Sequence, residues 1–349
     1  DHSAGEWVNF THNLGPDAQS LQPVNVYSQD YGNLYGVGKY ATDFSAGTAS
    51  YDMFGDGRDG LMPGSGNLDN ANGFAAGTVN GAAGSISIAV IDRQSIARVN
   101  PGDAVLIHQT RGSGAGQWEM NKAAADFTGS GTFALQKPLK YNYVSNGGNE
   151  KAQILRVPQY SVCNVTGTVT PLSGWNGDWG GIFAVMCRQS MTISGSVNVD
   201  NRGFKGGQGG PSASTSFGYK GEGDIGPNIV RSSNSDVASN GSGGGGATKL
   251  QNINSSAGAG GGGHFAAGGT GLSDNDWVWA AGQGGTASGA QDMSRMVFGG
   301  GGGGGAVAQD NYFSGRGGNG GGIVYILAKD ITLSGNVAAR GEIGGDSST

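Results

Sequence analysis

Residues 299–305 read Gly-Gly-Gly-Gly-Gly-Gly-Gly, and this run is the most informative part of the sequence for the fold. Shorter runs occur at Gly243–Gly246 and Gly260–Gly263, and the segment from Gly203 to Gly322 holds 39 of the chain's 72 glycines. Glycine loses more backbone entropy on folding than any other residue. A segment this rich in glycine therefore either stays unfolded or adopts packing that only a residue without a Cβ atom can enter.

Residues 203–322 have two interpretations. A polyglycine II-like strand has three residues per turn and no internal hydrogen bonds, so its N–H and C=O groups must be satisfied by neighbouring strands. The alternative is a flexible Gly/Ser linker. Linkers avoid aromatic residues, whereas this segment contains Phe217, Tyr219, Phe265, Trp277, Trp279, Phe298, Tyr312 and Phe313. We therefore expect a packed glycine-rich insertion.

The two flanks of the insertion resemble each other. Gly181-Ile-Phe-Ala-Val-Met and Met191-Thr-Ile-Ser-Gly-Ser-Val precede it, and Gly322-Ile-Val-Tyr-Ile-Leu and Ile331-Thr-Leu-Ser-Gly-Asn-Val follow it. Short strands with small turns are typical of a β-solenoid, in which each coil stacks on the previous one. Successive coils would lie about 5 Å apart, so both ends of the insertion would be held at one place.

The rest of the chain indicates an all-β protein with few or no helices, because short apolar runs alternate with Gly, Pro, Asn and Ser. Only residues 116–126 suggest a short helix or a β-excursion. We expect an extended N-terminal arm, a β-rich module, a β-solenoid scaffold and the packed insertion, over residues 1–50, 51–158, 159–202 plus 323–349, and 203–322. The arm either wraps its own surface or adds a strand to a neighbouring molecule.

Composition excludes several classes of protein. Charged residues make up 13% of the chain and the net charge is −6, which argues against a nucleic-acid partner because such proteins carry a basic face. No run of 18 apolar residues is present, so we expect no membrane-spanning helix. The start at Asp1-His2-Ser3-Ala4 fits either a processed mature end or a fragment.

Two cysteines and four glycosylation sequons bear on an extracellular location. Cys163 and Cys187 would form a bridge between adjacent strands in an oxidising compartment, or remain two small buried hydrophobic residues. The sequons begin at Asn9, Asn164, Asn240 and Asn254. They are a weak signal, because a chain rich in Asn, Ser and Thr contains some by chance.

Residues 55–60, Gly-Asp-Gly-Arg-Asp-Gly, match a dinucleotide-binding fingerprint by letter. They lack the preceding strand and following helix that such a site requires. Asp52, Asp56 and Asp59 offer oxygen ligands of the kind that calcium prefers. A plain cluster of turns explains the same residues, so calcium is only a candidate and no other cofactor is expected.

No catalytic motif stands out. The four histidines show no zinc-binding spacing, and neither a nucleophile elbow nor a phosphate-binding loop occurs. His108 is best interpreted as a strand histidine with its hydrogen bonds satisfied. Glu119, Asp178 and Asp200 are the carboxylates that would serve a glycan-cleaving pair. Trp175 and Trp179 would either stack on a sugar or cap the solenoid.

The order of motifs resembles the glycine-rich secreted surface proteins of Gram-negative bacteria. The matching stretches are Gly55–Gly60, Gly102–Glu119, Leu155–Tyr160, Trp175–Gly181 and Val199–Gly207, and the resemblance covers roughly residues 50–345. The glycine tract alone is similar to bacteriophage tail-fibre tip adhesins, in which loops between polyglycine II strands contact a host receptor. Neither resemblance implies an enzymatic activity.

Three functions are compatible with these features. The first is a non-enzymatic extracellular structural protein that assembles with copies of itself into a surface fibre or matrix with an adhesive role. The alternative is an adhesin that binds a cell-surface glycan or a host receptor, and a second alternative is a polysaccharide-active enzyme. For the adhesin, the candidate binding surface comprises Phe265, Trp277, Trp279, Tyr312, Phe313, Trp175 and Trp179.

Overall fold

The computed structural model describes residues 54–67, 76–93, 99–127, 131–171, 173–210, 217–229, 232, 237–247, 258–272, 281–306 and 314–345. These ranges contain fourteen β-strands and no helix, which confirms the all-β expectation for the described residues. The predicted N-terminal arm lies outside the described residues. The described part of the chain also has no helix long and apolar enough to cross a membrane.

In chain order the strands are β1 (Gly66–Asn67), β2 (Ala76–Asn80), β3 (Ser87–Arg93), β4 (Ala104–Arg111), β5 (Trp118–Lys122), β6 (Gly131–Ala134), β7 (Lys151–Val157), β8 (Gln159–Tyr160), β9 (Cys163–Val165), β10 (Thr168–Thr170), β11 (Ile182–Ile193), β12 (Ser196–Asn198), β13 (Ile323–Leu333) and β14 (Asn336–Ala338). The two repeat copies that flank the glycine-rich segment coincide with β11 to β14. Residues 116–126, for which a helix or a β-excursion was open, contain β5.

Strands β2 to β7 form one antiparallel sheet in the order β5-β4-β7-β2-β3-β6. The central strand β4 is buried over its whole length, which agrees with its run of apolar residues, Ala-Val-Leu-Ile. One face of the sheet covers a hydrophobic core that includes Val79, Ile107 and Phe133.

The other eight strands pair in parallel and stack the chain in four layers. We call residues 61–67 layer one, residues 159–170 layer two, residues 182–198 layer three and residues 323–338 layer four. Strand β1 pairs with β10, so it belongs with the layers and not with the β-rich module expected over residues 51–158. A second core, with Phe183, Val185 and Val197, fills the interior of the layers.

A third core joins these parts to the glycine-rich segment. It includes Leu106 and Leu155 from the antiparallel sheet, Ile182 from layer three, and Phe204 and Phe298 from the glycine-rich segment. The segment is therefore fixed on the β-strands by buried apolar contacts.

Candidate functional site

The two copies of the internal repeat lie side by side as β11 and β13. Ile182 pairs with Ile323 and Ile193 with Leu333, and Val197 of β12 continues the register opposite Val337 of β14. Residues that match in the sequence are thus the residues that pair. Layer four repeats layer three at a distance of one strand spacing, about 4.8 Å.

Layer four is the last layer, and within the described residues no strand pairs with the outer edge of β13 or β14. The N–H group of Ile323 donates to the carbonyl oxygen of Gly181 in layer three. Because N–H groups alternate in direction along a parallel strand, those of Val324 and Ile326 point outward. Layer four therefore presents backbone donors and acceptors that another strand can bind.

The apolar interior of the layers is also less covered at layer four. Val185 and Met191 of layer three have no solvent exposure. Their register partners are Ile326, which is half-buried, and Ile331, which is 44% exposed. The column of interior side chains therefore ends at layer four, where the described residues leave it partly exposed to solvent.

The turn between the two strands of each layer requires glycine. A Cβ atom on Gly195 would lie 2.1 Å from the carbonyl oxygen of Gly167 in layer two, and one on Gly335 would lie 2.0 Å from that of Gly195. No side chain fits at such a distance. A further layer that continued the stack would therefore also need glycine above Gly335.

The run Gly299–Gly305 is surrounded by other parts of the glycine-rich segment, and every third residue faces the same neighbour. The N–H to C=O pairs are Gly299 to Gly321, Gly302 to Gly318 and Gly305 to Gly315 on one side, Gly300 to Gly263 and Gly303 to Gly260 on a second, and Gly301 to Glu222 and Gly304 to Tyr219 on a third. The run therefore satisfies its N–H groups between segments and not within itself.

The end of this run near Gly299 is attached to the antiparallel sheet through a buried histidine. Nε2 of His108 donates to the carbonyl oxygen of Met296 at 2.7 Å, and its Nδ1 lies 2.9 Å from the hydroxyl of Thr110. Gln153 donates to the same hydroxyl, so Thr110 donates to Nδ1 and the imidazole is neutral. Burial lowers the pKa of His108 to about 4, which preserves this arrangement at neutral pH.

Ring contacts of Phe298 and a buried ion pair fix the same end. The Phe298 ring lies 5.6 Å from the ring of Trp175 and 5.3 Å from that of Phe204. Arg111 of β4 forms an ion pair with Glu222, and both side chains are almost fully buried. These contacts hold this end of the glycine-rich segment on the scaffold. We call it the attached end.

We call the opposite end of the glycine-rich segment the free end. The residues on either side of four segments that lie outside the described residues are close together there. The hydrogen bonds that bring these positions together are Gly210 to Gly305, Gly305 to Gly315, Gly218 to Ala247, Ala247 to Gly304, Gly258 to Leu272 and Gly282 to Gly258. Segments 211–216, 248–257, 273–280 and 307–313 therefore all leave and re-enter the described structure at the free end.

Four of the candidate binding-surface residues, Trp277, Trp279, Tyr312 and Phe313, lie in those segments and so outside the described residues. Phe265 is 53% exposed and follows Gly263, which bonds to Gly300, so it lies at the attached end.

Trp175 and Trp179 require a correction. Trp175 has no solvent exposure and Trp179 has 5%, so neither ring offers a face to a ligand.

The candidate carboxylates are each bound to a separate partner. Asp178 pairs with Lys151 and Asp200 with Arg340. Glu119 is buried, which raises its pKa, and it accepts the N–H of Lys140. No observation on the described residues brings two of these carboxylates to one site, so nothing favours the polysaccharide-active alternative.

The candidate calcium ligands are engaged in ion pairs. Asp56 binds Arg58, and Asp59 binds Arg156, whose guanidinium also contacts Asp103. Asp52 lies outside the described residues. Among the described residues, no group of three His, Cys, Asp or Glu side chains is placed to hold a metal ion.

The bridge between Cys163 and Cys187 is present and links layer two to layer three. Of the sequons, Asn164 is exposed on β9. Asn240 donates its amide hydrogens to the carbonyls of Gly221, Gly226 and Pro227. Asn9 and Asn254 lie outside the described residues.

Sequence reasoning did not identify Arg111, Glu222 or the role of His108 in attaching the glycine-rich segment. Arg111 and Glu222 are 111 positions apart, so no local pattern relates them. The only signal in the sequence was the position of Glu222 between two glycines. A charged side chain that is buried there needs a partner.

No family model, no curated protein and no solved structure matches this chain.

Proposed function

We propose that this chain is a non-enzymatic extracellular structural protein that assembles with copies of itself into a surface filament or matrix with an adhesive role. The proposal includes two finer points on architecture. The four layers form a short β-solenoid, and the glycine-rich segment is an inserted lobe of polyglycine II-like strands. The three-residue period of the contacts around Gly299–Gly305 supports the second point.

The observation that carries the functional proposal is the open edge of layer four. An unpaired strand edge is a template for pairing with another chain, and natural proteins normally shorten it, charge it or cover it. Here β13 is eleven residues long, and the partly exposed Ile326 and Ile331 continue an apolar column. A contact between unlike surfaces of identical subunits repeats from one subunit to the next and produces a filament when the rotation between subunits does not close a ring.

Sedimentation velocity of the full chain tests this proposal. Ile331→Lys places a charge at the open end of the apolar column, where it costs little in a monomer because the side chain is already 44% exposed. We expect this variant to remain monomeric at concentrations at which the natural sequence forms large particles. Ile86→Lys, at a position directly before β3 that is 64% exposed, is the matched control. Equal assembly of both variants contradicts a role for layer four.

A second candidate is an adhesin, and the observation that favours it is the gathering of four segments at the free end. Two of them contain the aromatic residues Trp277, Trp279, Tyr312 and Phe313, and aromatic side chains are enriched at binding surfaces. Glycan-array and whole-cell binding with Trp277→Ala and Trp279→Ala should show at least a tenfold loss. Phe265→Ala, which removes an exposed aromatic side chain at the attached end, is the control. If neither Trp277→Ala nor Trp279→Ala reduces binding, the free end is not the binding surface.

A further inference from the structure

We propose that the open edge of layer four is completed by residues 1–50 of a second copy of the chain. This inference rests on the proposed self-assembly and names the segment that mediates it. The described part of the chain begins at Phe54.

The chain enters the described structure at the opposite end of the layers from β13. Gly55 lies against Gln159 of layer two, and Arg58 forms an isolated bridge to Tyr160. Layer one and layer four are three strand spacings apart, or about 14 Å. Residues 1–53 therefore join the protein at the layer-one end, while the edge that lacks a partner among the described residues is at the layer-four end.

Two subunits that stack head to tail bring these features together. The layer-one end of the upper subunit then faces layer four of the lower subunit, and residues 1–53 of the upper subunit start at that junction. Layer one itself is a poor partner. On the side of the layers that holds β13, only Leu61 of the described layer-one residues bridges to layer two, whereas β13 has eleven residues. The N-terminal segment is the longest stretch of chain outside the described residues, so it is the occupant we assign.

The composition of residues 1–50 suits this edge. A strand along β13 requires about eleven residues, which is a small part of the segment. Aromatic side chains that can cover the half-buried column are distributed along it at Trp7, Phe10, Tyr27, Tyr31, Tyr35, Tyr40 and Phe44. A layer above Gly335 needs a glycine at its turn, and glycines are available at Gly5, Gly15, Gly32, Gly36, Gly38 and Gly47.

Isotope-coded photo-crosslinking in the full-length chain tests the inference. Labelled chains with Ile331→p-benzoylphenylalanine are mixed with an equal amount of unlabelled natural chain, allowed to assemble, irradiated and mapped by mass spectrometry. We expect crosslinks from position 331 to peptides within residues 1–50, with about half of them on unlabelled chains. The same photo-reactive residue at Thr332, which is exposed on β13, provides a second probe, and at Ile86 it provides a negative control.

The outcomes separate this inference from the proposal beneath it. Crosslinks found only within labelled chains show that the segment covers the edge of its own subunit, and crosslinks to residues 54–67 show direct contact between layers. Either result, in assembled particles, overturns the inference and leaves self-assembly in place. If the chain forms no particles across a range of salt and protein concentrations, the proposed function fails together with the inference.

Discussion

Gly303 approaches Gly245 so closely that a Cβ atom on Gly303 would lie 1.9 Å from the carbonyl oxygen of Gly245. The preceding residue in the same run, Gly302, is different. A Cβ atom there would meet nothing nearer than the backbone nitrogen of Gly318 at 3.4 Å. Two adjacent glycines of one homopolymeric run therefore have different steric requirements, which an unfolded linker would not impose.

This difference gives a matched pair of substitutions. Gly303→Ala should lower the free energy of unfolding by about 3 kcal/mol or more, because the methyl group must displace backbone. Gly302→Ala should change it by less than about 1 kcal/mol, since alanine also reduces the entropy of the unfolded chain. Chemical denaturation of both variants is the measurement. Equal effects would show that the glycine-rich segment is not packed as described.

Acid should destabilise the fold through His108. Its folded-state pKa of about 4 lies below the ordinary value of 6.5, so the unfolded chain takes up the proton first as the pH falls. The contribution of His108 to the free energy of unfolding is therefore fully present above pH 6.5. It falls by about 3 kcal/mol between pH 6.5 and pH 4. Denaturation at several pH values should show that His108→Gln has a flatter profile than the natural chain in this window. An unchanged slope would contradict the assignment.

The buried ion pair between Arg111 and Glu222 should be sensitive to loss of one partner. Glu222→Gln leaves the Arg111 guanidinium buried without its counter-charge, which should cost about 3 kcal/mol of folding free energy. Glu342→Gln, which breaks the exposed pair with Arg316, should cost less than about 1 kcal/mol. Thermal and chemical denaturation of the two variants give the comparison, and similar losses would argue against a role for this pair in attaching the glycine-rich segment.

Reduction of the Cys163–Cys187 bridge should weaken the layers. The bridge spans 24 positions, and a loop of this length corresponds to about 3 kcal/mol of stability in the chain-entropy model. The measurement is the denaturation midpoint of the oxidised chain against that of the chain with Cys163→Ala and Cys187→Ala. Identical midpoints would show that the layers do not depend on the bridge.

The strand positions and the pairing of the two repeat copies were predictable from the sequence. The copies share the pattern Thr-x-Ser-Gly-x-Val, and identical units bury their apolar faces best when stacked in register. The expectation of a packed glycine-rich segment rested on the aromatic residues within it. Strand β2 was missed because Ala-Gly-Thr-Val-Asn is short and contains a glycine, which normally weakens a strand.

The contacts between distant parts of the chain were not predictable. His108 finds Met296 at a separation of 188 positions, and no local pattern encodes that partner. Trp175 and Trp179 sit in a loop rich in Asn, Gly and Asp, which is typical of exposed turns, so a ligand-binding role was a natural interpretation. The burial of Trp175 follows from packing against Phe204 and Phe298, which come from elsewhere in the chain.

Electron microscopy of the purified full-length chain tests the proposed self-assembly most directly. The account predicts filaments or extended particles at high protein concentration, which Ile331→Lys abolishes and Ile86→Lys leaves intact. Monodisperse single subunits at every salt and protein concentration would contradict it.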